Sequence, residues 1–540
     1  MTPAGAWAAA PEVRLVAAVS PTNLEHPNVT DQPRRRDFLR LAGGVILATG
    51  AGVTAGGCSS SRASAGGAPP LPALRSRRGG TTVNGIQYFR SRPDLRPPEI
   101  VIDVRADHVI PGFVFTDCHA GVAQQGPMIL SETGRLVGFL PLTPSPTPAH
   151  RAFNVRVQTY QGKPVMTWFV GRVVSAHGEG HYVIYDERYH RIAQVHAGNG
   201  YQGDLHEFLL TDQGTALLTA YGQATGSFPG GRRGKYFYGV VQEVDVATGE
   251  VLFQWRSDQH VGLTESYYPE PANAADAWDY FHVNAITIDP TDNNLVISSR
   301  NTCACYKVDR TTGRVIWKLG GKHSDFHMGP GSRFFFQHDV NLHPNGVMTM
   351  FDNEAGPPQE ASQSRGLVLQ IDEAQQTARV GRQFDHEPPV LSDALGSLQS
   401  LDQGHTFMGW GTSSYFTEYG PDGAVMFDGH LSPGTLSYRA YKETWTGTPT
   451  TVPSLSVTAT TTTAATGAGA TLYASWNLAT EVAGWVVLGG PDADHLDAVG
   501  VAKLSGFETE ISLPQASGYA AVEAIDRTGA VLGRSEPRRL

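Results

Sequence analysis

Apolar and polar residues alternate with a period of two through most of the chain, in short runs broken by Gly, Asn, Asp and Pro. That period predicts β-strands joined by tight turns. One phrase, a strand, an acidic turn and a returning strand, recurs as LSETGRLVGFL from Leu130, IYDERYHRIAQV from Ile184 and EVDVATGEVLFQW from Glu243. It returns as KVDRTTGRVIWKL from Lys307, QIDEAQQTARVGRQF from Gln370 and TEYGPDGAVMFDG from Thr417. Two further alternating runs separate the copies, so each unit predicts a four-stranded antiparallel sheet of about 45 to 65 residues. Such a sheet cannot bury both faces alone. Packing six of them radially does so, and closing the ring limits exposed edge strands. The expectation is an all-β chain with a six-bladed β-propeller over residues 93–447.

From about Pro453 the composition shifts to Thr, Ala and Gly, and a second alternating pattern begins. TLYASWN from Thr471, GWVVLGG from Gly484 and YAAVEAIDRTGAVLG from Tyr519 predict a small fibronectin type III-like or other immunoglobulin-like β-sandwich over residues 453–540. It carries no catalytic grouping and reads as a spacer or packing module. Composition agrees with an all-β fold: 61 Gly and 35 Pro punctuate 540 residues, and 40% hydrophobic against 17% charged residues supply a core. The formal charge of −10, with no basic stripe outside the leader, argues against nucleic acid as a partner.

Residues 1–58 read as an export leader. Arg35-Arg36-Asp37-Phe38-Leu39-Arg40 is a twin-arginine motif ahead of a moderately apolar stretch from Leu41 to Ala55. That stretch is too short and too rich in Gly and Ala for a permanent membrane span. Ala55-Gly56-Gly57-Cys58 has the form of a lipobox, predicting an extracytoplasmic lipoprotein anchored through Cys58. Cleavage after a small residue, yielding a secreted protein without that anchor, is the alternative. Residues 59–92, rich in Ser, Arg, Gly and Pro, read as a flexible linker. Cys118, Cys303 and Cys305 remain, with a bridge from Cys118 to one of the others and three reduced thiols both open and no catalysis assigned.

Of 19 histidines, three stand at matching places: His206 in DLHEFLLTDQG, His282 in DYFHVNAITIDP and His338 in FFQHDVNLHPNG. Each opens the first strand of a sheet, the strand that lines the channel of a propeller. Hairpin symmetry gives their neighbours: His282 and Arg300 mirror one another about Thr291, His338 faces Asp352 and Asn353, and His206 faces Tyr221. Asn284, two residues after His282, falls on the same strand face by alternation, and Ser299 points away from Arg300. A lone histidine on a strand is usually structural, but three at equivalent positions beside an arginine form a functional set. One neutral imidazole can act as a nucleophile while the guanidinium and the other imidazoles hold an oxyanion, which suits phosphoryl or sulfuryl transfer. Zinc on three imidazoles is the competing reading. No HExxH motif or paired cysteine ligands support it, and a guanidinium beside a dication is unfavourable. A quinone-dependent redox propeller is disfavoured because the nine tryptophans do not recur at one place per repeat.

The segments DYFHVNAI, ISSRNT, KVDRTTGRVIWKLGG and FFQHDVNLHPNGVMTMFDN resemble the bacterial arylsulfotransferase family over about residues 93 to 447. The resemblance implies a six-bladed propeller and an enzyme that moves a sulfuryl group from a phenolic sulfate ester to a phenol without a nucleotide donor. It implies that His338 is transiently sulfurylated in a ping-pong cycle, that His206, His282, Asn284 and Arg300 hold the sulfuryl oxygens, and that Thr412 in GWGTSSYF joins them. Tyr221 and Asn353, from the hairpin symmetry, complete the expected substrate-binding set. Neither metal nor diffusible cofactor is implied, and the partners are small aryl sulfates and phenols. The alternative function is a lipid-anchored propeller that binds a ligand or protein through the same channel without turnover.

Overall fold

A computed structural model describes residues 71–105, 108–142, 150–273, 275–357, 359–460, 469–515 and 518–540. The twin-arginine motif and Cys58 lie outside them. Every regular element among the described residues is a strand or a short 3-10 turn, and none is a helix long and apolar enough to cross a membrane.

The repeat in the sequence becomes a repeat of sheets. Six strands, each the innermost of a four-stranded antiparallel run, are labelled β1 (Arg151–Tyr160), β2 (Gly203–Leu210), β3 (Val283–Ile288), β4 (His338–His343), β5 (Ser397–Ser400) and β6 (Ala440–Glu443). The first five are followed in their sheets by three strands that come next in the chain. The sheet of β6 is different, because β6 pairs with Phe113–Cys118 near the other end of the fold, with Ala440 opposite Thr116. In the same manner Ile100–Arg105 adds to the outer strand Val425–Leu431 of the β5 sheet. Consecutive inner strands touch, β6 touches β1, and the sheets therefore form a closed, propeller-like ring.

Local chemistry explains why the phrase repeats. In VDVATGE and VDRTTGR the Oδ1 atoms of Asp245 and Asp309 accept the N–H groups two and three residues on, at 2.8–3.0 Å. Gly249 and Gly313 follow with φ of +76° and +74°, which a side chain would resist. Between sheets, alternate residues interlock in apolar seams such as Trp255, Phe281, Ile297 and Tyr306.

The inner strands are not regular. β1, β2, β3 and β4 each carry a register shift, at Phe153/Arg156, Gly203/Phe208, Val283/Ala285 and His338/Asn341. A bulge turns extra polar side chains into the channel at the cost of ladder bonds. The alternation expected to place Asn284 on the face of His282 is broken here, because His282 precedes β3 in the left-handed region at φ 57° and Asn284 lies within the bulge.

The C-terminal residues form two further sheets, one of Ser454–Thr460, Gly469–Ser475 and Thr509–Leu513, the other built on Gly484–Gly490 and Tyr519–Ile525. They close over Trp485, Val487, Leu472 and Val522. Part of the stretch read as a flexible linker belongs to this unit. Ser76–Arg78 pairs with Thr509–Leu513, and Phe89 packs on Phe507 with ring centroids 4.5 Å apart. The unit docks on the ring through Asn477, whose side chain bonds both the N–H and the C=O of Phe139 at 2.9 Å. Cys118, Cys303 and Cys305 are buried free thiols.

Candidate active site

The site is assembled at the starts of β2, β3 and β4. His206 sits within β2, three residues after its first position, while His338 opens β4 and His282 immediately precedes β3. All three are buried. The His206 ring lies 4.7 Å from that of His282 and 6.5 Å from that of His338, centroid to centroid, and the Nε2 atoms of His206 and His282 are 3.2 Å apart.

Arg300 joins them from across the β3 hairpin, where its N–H donates to the carbonyl of His282 at 2.9 Å. Its Nε donates to Asn301 Oδ1 at 2.9 Å, and no bond from either Nη is recorded among the described residues. The guanidinium carbon lies 5.3 Å from the ring centroid of Phe336 and 6.0 Å from that of Tyr268. The fork is therefore held by its stem while its Nη donors stay free for an anion. Ser299 turns the other way, donating to the carbonyl of Phe281.

His338 is oriented through Asn353. The Asn353 Nδ2 group donates to the carbonyls of Ser392 and Leu395, each at 3.0 Å, so Oδ1 is the atom that faces His338 Nδ1 at 2.7 Å. The carbonyl of Phe336 also faces Nδ1, at 3.1 Å. Two acceptors require that Nδ1 carry the proton, which leaves the lone pair on Nε2. Burial first, then the charge of Arg300, push the His338 imidazolium well below its ordinary range. The same two causes push His282 down to about 3. Both rings are neutral near neutral pH, and His338 presents an unprotonated Nε2 whose lone pair accepts from the Leu395 N–H at 3.3 Å.

The remaining expected residues are placed as follows. Asn284 donates to the carbonyl of Gln337 at 2.6 Å, and its buried Oδ1 has no partner. Tyr221 stacks on His177 at 3.8 Å and donates its hydroxyl to the carbonyl of Val283 at 2.8 Å, and burial keeps it a phenol. Thr412 is not brought to the histidines. Its Oγ1 lies 3.0 Å from Ser392 Oγ and accepts the Asp393 N–H, so it braces the loop whose Leu395 N–H touches His338.

Four residues were missed by the sequence reading. Asp204 lies 2.7 Å from His206 Nδ1, Asp279 bonds His282 Nδ1, and His177 approaches Asp279 Oδ2 at 3.2 Å. Arg439, fully buried in the channel, bonds Glu207 at 3.0 Å and the carbonyl of Asn284 at 3.1 Å. The spacings D-x-H and D-x-x-H were visible signals for the two aspartates. They are unspecific, since Asp117 and His119 form the same pair yet stack on Phe153. His177, Asp279 and His282 are the one group of at least three potential ligand atoms within 4.8 Å among the described residues. His177 Nε2 and His282 Nδ1 approach the same carboxylate oxygen, Asp279 Oδ2, while Asp279 Oδ1 is buried without a partner.

A ring of antiparallel sheets whose inner strands bring three buried histidines and an arginine together defines a propeller-like protein. A family profile described as Arylsulfotransferase (ASST) matches residues 156–431, and the chain belongs to that family. No curated protein matches. Among solved structures, a protein of unknown function from Bacteroides caccae is 11% identical, with a TM-score of 0.38, over 62% of this chain and 99% of its own. The β-propeller domain of Cps50 (Swd1) from Myceliophteria thermophila is 8% identical, at TM-score 0.30, over 52% and 89%. Virginiamycin B lyase from Staphylococcus aureus is 8% identical, at TM-score 0.25, over 51% and 83%.

Proposed function

We propose that this chain is an exported, lipid-anchored arylsulfotransferase that moves a sulfuryl group from a phenolic sulfate ester to a phenol through a sulfohistidine on His338. In this reading the six sheets are the six blades of a propeller over residues 93–447, and residues 453–540 are a fibronectin type III-like sandwich. His338 Nε2 attacks sulfur in line with the departing aryl oxygen. Arg300 and the imidazoles of His206 and His282 hold the sulfuryl oxygens as charge shifts onto the leaving group. The acceptor phenol then takes the group from the imidazole.

The observation that carries the reading is the tautomer of His338. A carbonyl and Asn353 fix its proton on Nδ1, and burial with Arg300 keeps Nε2 unprotonated. Incubating the purified protein with a dye-forming aryl sulfate and no acceptor tests it by intact mass. A sulfuryl adduct that vanishes in His338→Ala is the expected result. An adduct that persists in that variant, or dye release that His338→Ala leaves intact, contradicts it.

A further inference from the structure

His177, Asp279 and His282 reach one point from three segments of chain. His177 opens the strand His177–Tyr185, Asp279 ends the short strand Trp278–Asp279, and His282 stands in the left-handed region just ahead of β3. The His177 ring is held by aromatic neighbours, with its centroid 3.8 Å from that of Tyr221 and 4.7 Å from that of Phe237. Its side chain is 5% exposed, yet Nε2 makes no hydrogen bond among the described residues and is aimed at Asp279 Oδ2, 3.2 Å away. Asp279 Oδ1 is a second buried atom without a hydrogen bond among them. Native structures rarely leave buried polar atoms unpaired, and two such atoms side by side point to a missing ligand.

Two imidazole nitrogens and a carboxylate, with their ligand atoms within 4.8 Å of one another, are the donor set of a divalent metal that prefers imidazole. One carboxylate is too few for calcium or magnesium, which take about six or more oxygens. Around a tetrahedral zinc the ligand atoms stand about 3.3 Å from one another. The spacing of His177 Nε2 and Asp279 Oδ2 meets that distance. His282 Nδ1 lies closer to Oδ2, and a turn of the carboxyl group, whose Oδ1 nothing holds, widens the gap. Arg300 repels a dication, but two carboxylates stand against its one guanidinium. Asp279 is a ligand itself, and Asp204 lies next to His177, accepting the N–H of Gly178 at 2.6 Å.

We propose that His177, Asp279 and His282 bind one divalent transition-metal ion, represented by zinc, through His177 Nε2, His282 Nδ1 and the Asp279 carboxylate. Three protein ligands leave a fourth position for water. Binding on Nδ1 places the proton of a neutral His282 on Nε2, the nitrogen turned toward His206 at 3.2 Å. Only the consequence of that shift rests on the transfer reading: a neutral ring whose Nδ1–H is committed to Asp279 shows a sulfuryl oxygen a lone pair, whereas the metal-bound ring shows it a donor.

The full protein, stripped by dialysis against a chelator and reloaded with zinc or cobalt(II), tests the site. One ion retained per chain after gel filtration is expected, with the visible absorption of a cobalt ion of low coordination number. His177→Ala and Asp279→Ala are expected to weaken binding at least about 100-fold while circular dichroism stays that of the wild type. X-ray absorption at the zinc edge of the wild type, which needs no variant, is expected to show two imidazoles and an oxygen. A wild type that keeps no ion, variants that hold it as tightly, or a spectrum without imidazole overturns the site. Turnover of para-nitrophenyl sulfate tests the consequence separately. Stripping is expected to lower kcat/KM about 10-fold or more, and one equivalent of zinc to restore it. Equal rates with and without the ion overturn the donor role of His282 and leave the site standing. A wild type that turns over no aryl ester in either form removes the transfer reading and that role together, while retention of the ion still decides the site.

Discussion

An imidazole attacks through an unprotonated nitrogen, and at His338 Asn353 selects which nitrogen that is while the charge of Arg300 keeps it unprotonated. Arg300 thereby has two effects: its Nη donors are free for an anion, and its charge opposes protonation of His338 and His282. The sign follows. Both rings have pKa values below the ordinary 6.5, so they stay unprotonated as pH falls through the range where a free histidine would gain charge. Arg300→Leu removes the guanidinium and lets both values rise. We predict that kcat falls by roughly 100- to 1,000-fold, as when an oxyanion donor is lost. We also predict that the acid limb of kcat/KM moves to higher pH while the melting curve is unchanged. A pH–rate profile of the two proteins checks this, and unchanged kinetics would remove Arg300 from the site.

Elements bring these residues together by closing a ring, and the closure depends on a few buried contacts. Lys442 on β6 reaches Glu418 of the neighbouring sheet at 2.5 Å, and Glu418 also accepts from His405 at 2.9 Å and from the N–H of Ile110 at 2.8 Å. Lys442→Met leaves that carboxylate uncompensated, and about 3–5 kcal/mol of unfolding free energy is expected to be lost, partly recovered by adding Glu418→Gln. Denaturant titration of the single and double variants measures it. The element scale also shows what the chain disclosed in advance. The acidic turns fixed the hairpins, and hairpin symmetry put Arg300 against His282 and Asn353 against His338, because antiparallel pairing mirrors residues about a turn. Alternation failed at Asn284 because bulges, which need no distinctive residue, interrupt β1 to β4 where they face the site. Thr412 could not be placed by any local rule, since it acts through the loop after Ser392. Ser76–Arg78 hid in a polar, glycine-rich stretch because its partner strand lies more than four hundred residues away.

At the scale of the whole molecule, the ring gathers histidines from three sheets, and the fully buried Arg439 ties β2 to β3 by bonding Glu207 and the carbonyl of Asn284. The C-terminal unit docks on the outer strand Leu136–Phe139, away from those histidines. In the proposed reaction, one nucleophile in one space means two displacements at sulfur. Each displacement inverts the sulfur centre, so their product retains configuration. The most direct measurement is the stereochemical course of transfer from an aryl sulfate made chiral with oxygen isotopes. Net retention is the predicted result, and net inversion, the signature of direct transfer from donor to acceptor, would contradict the role of His338.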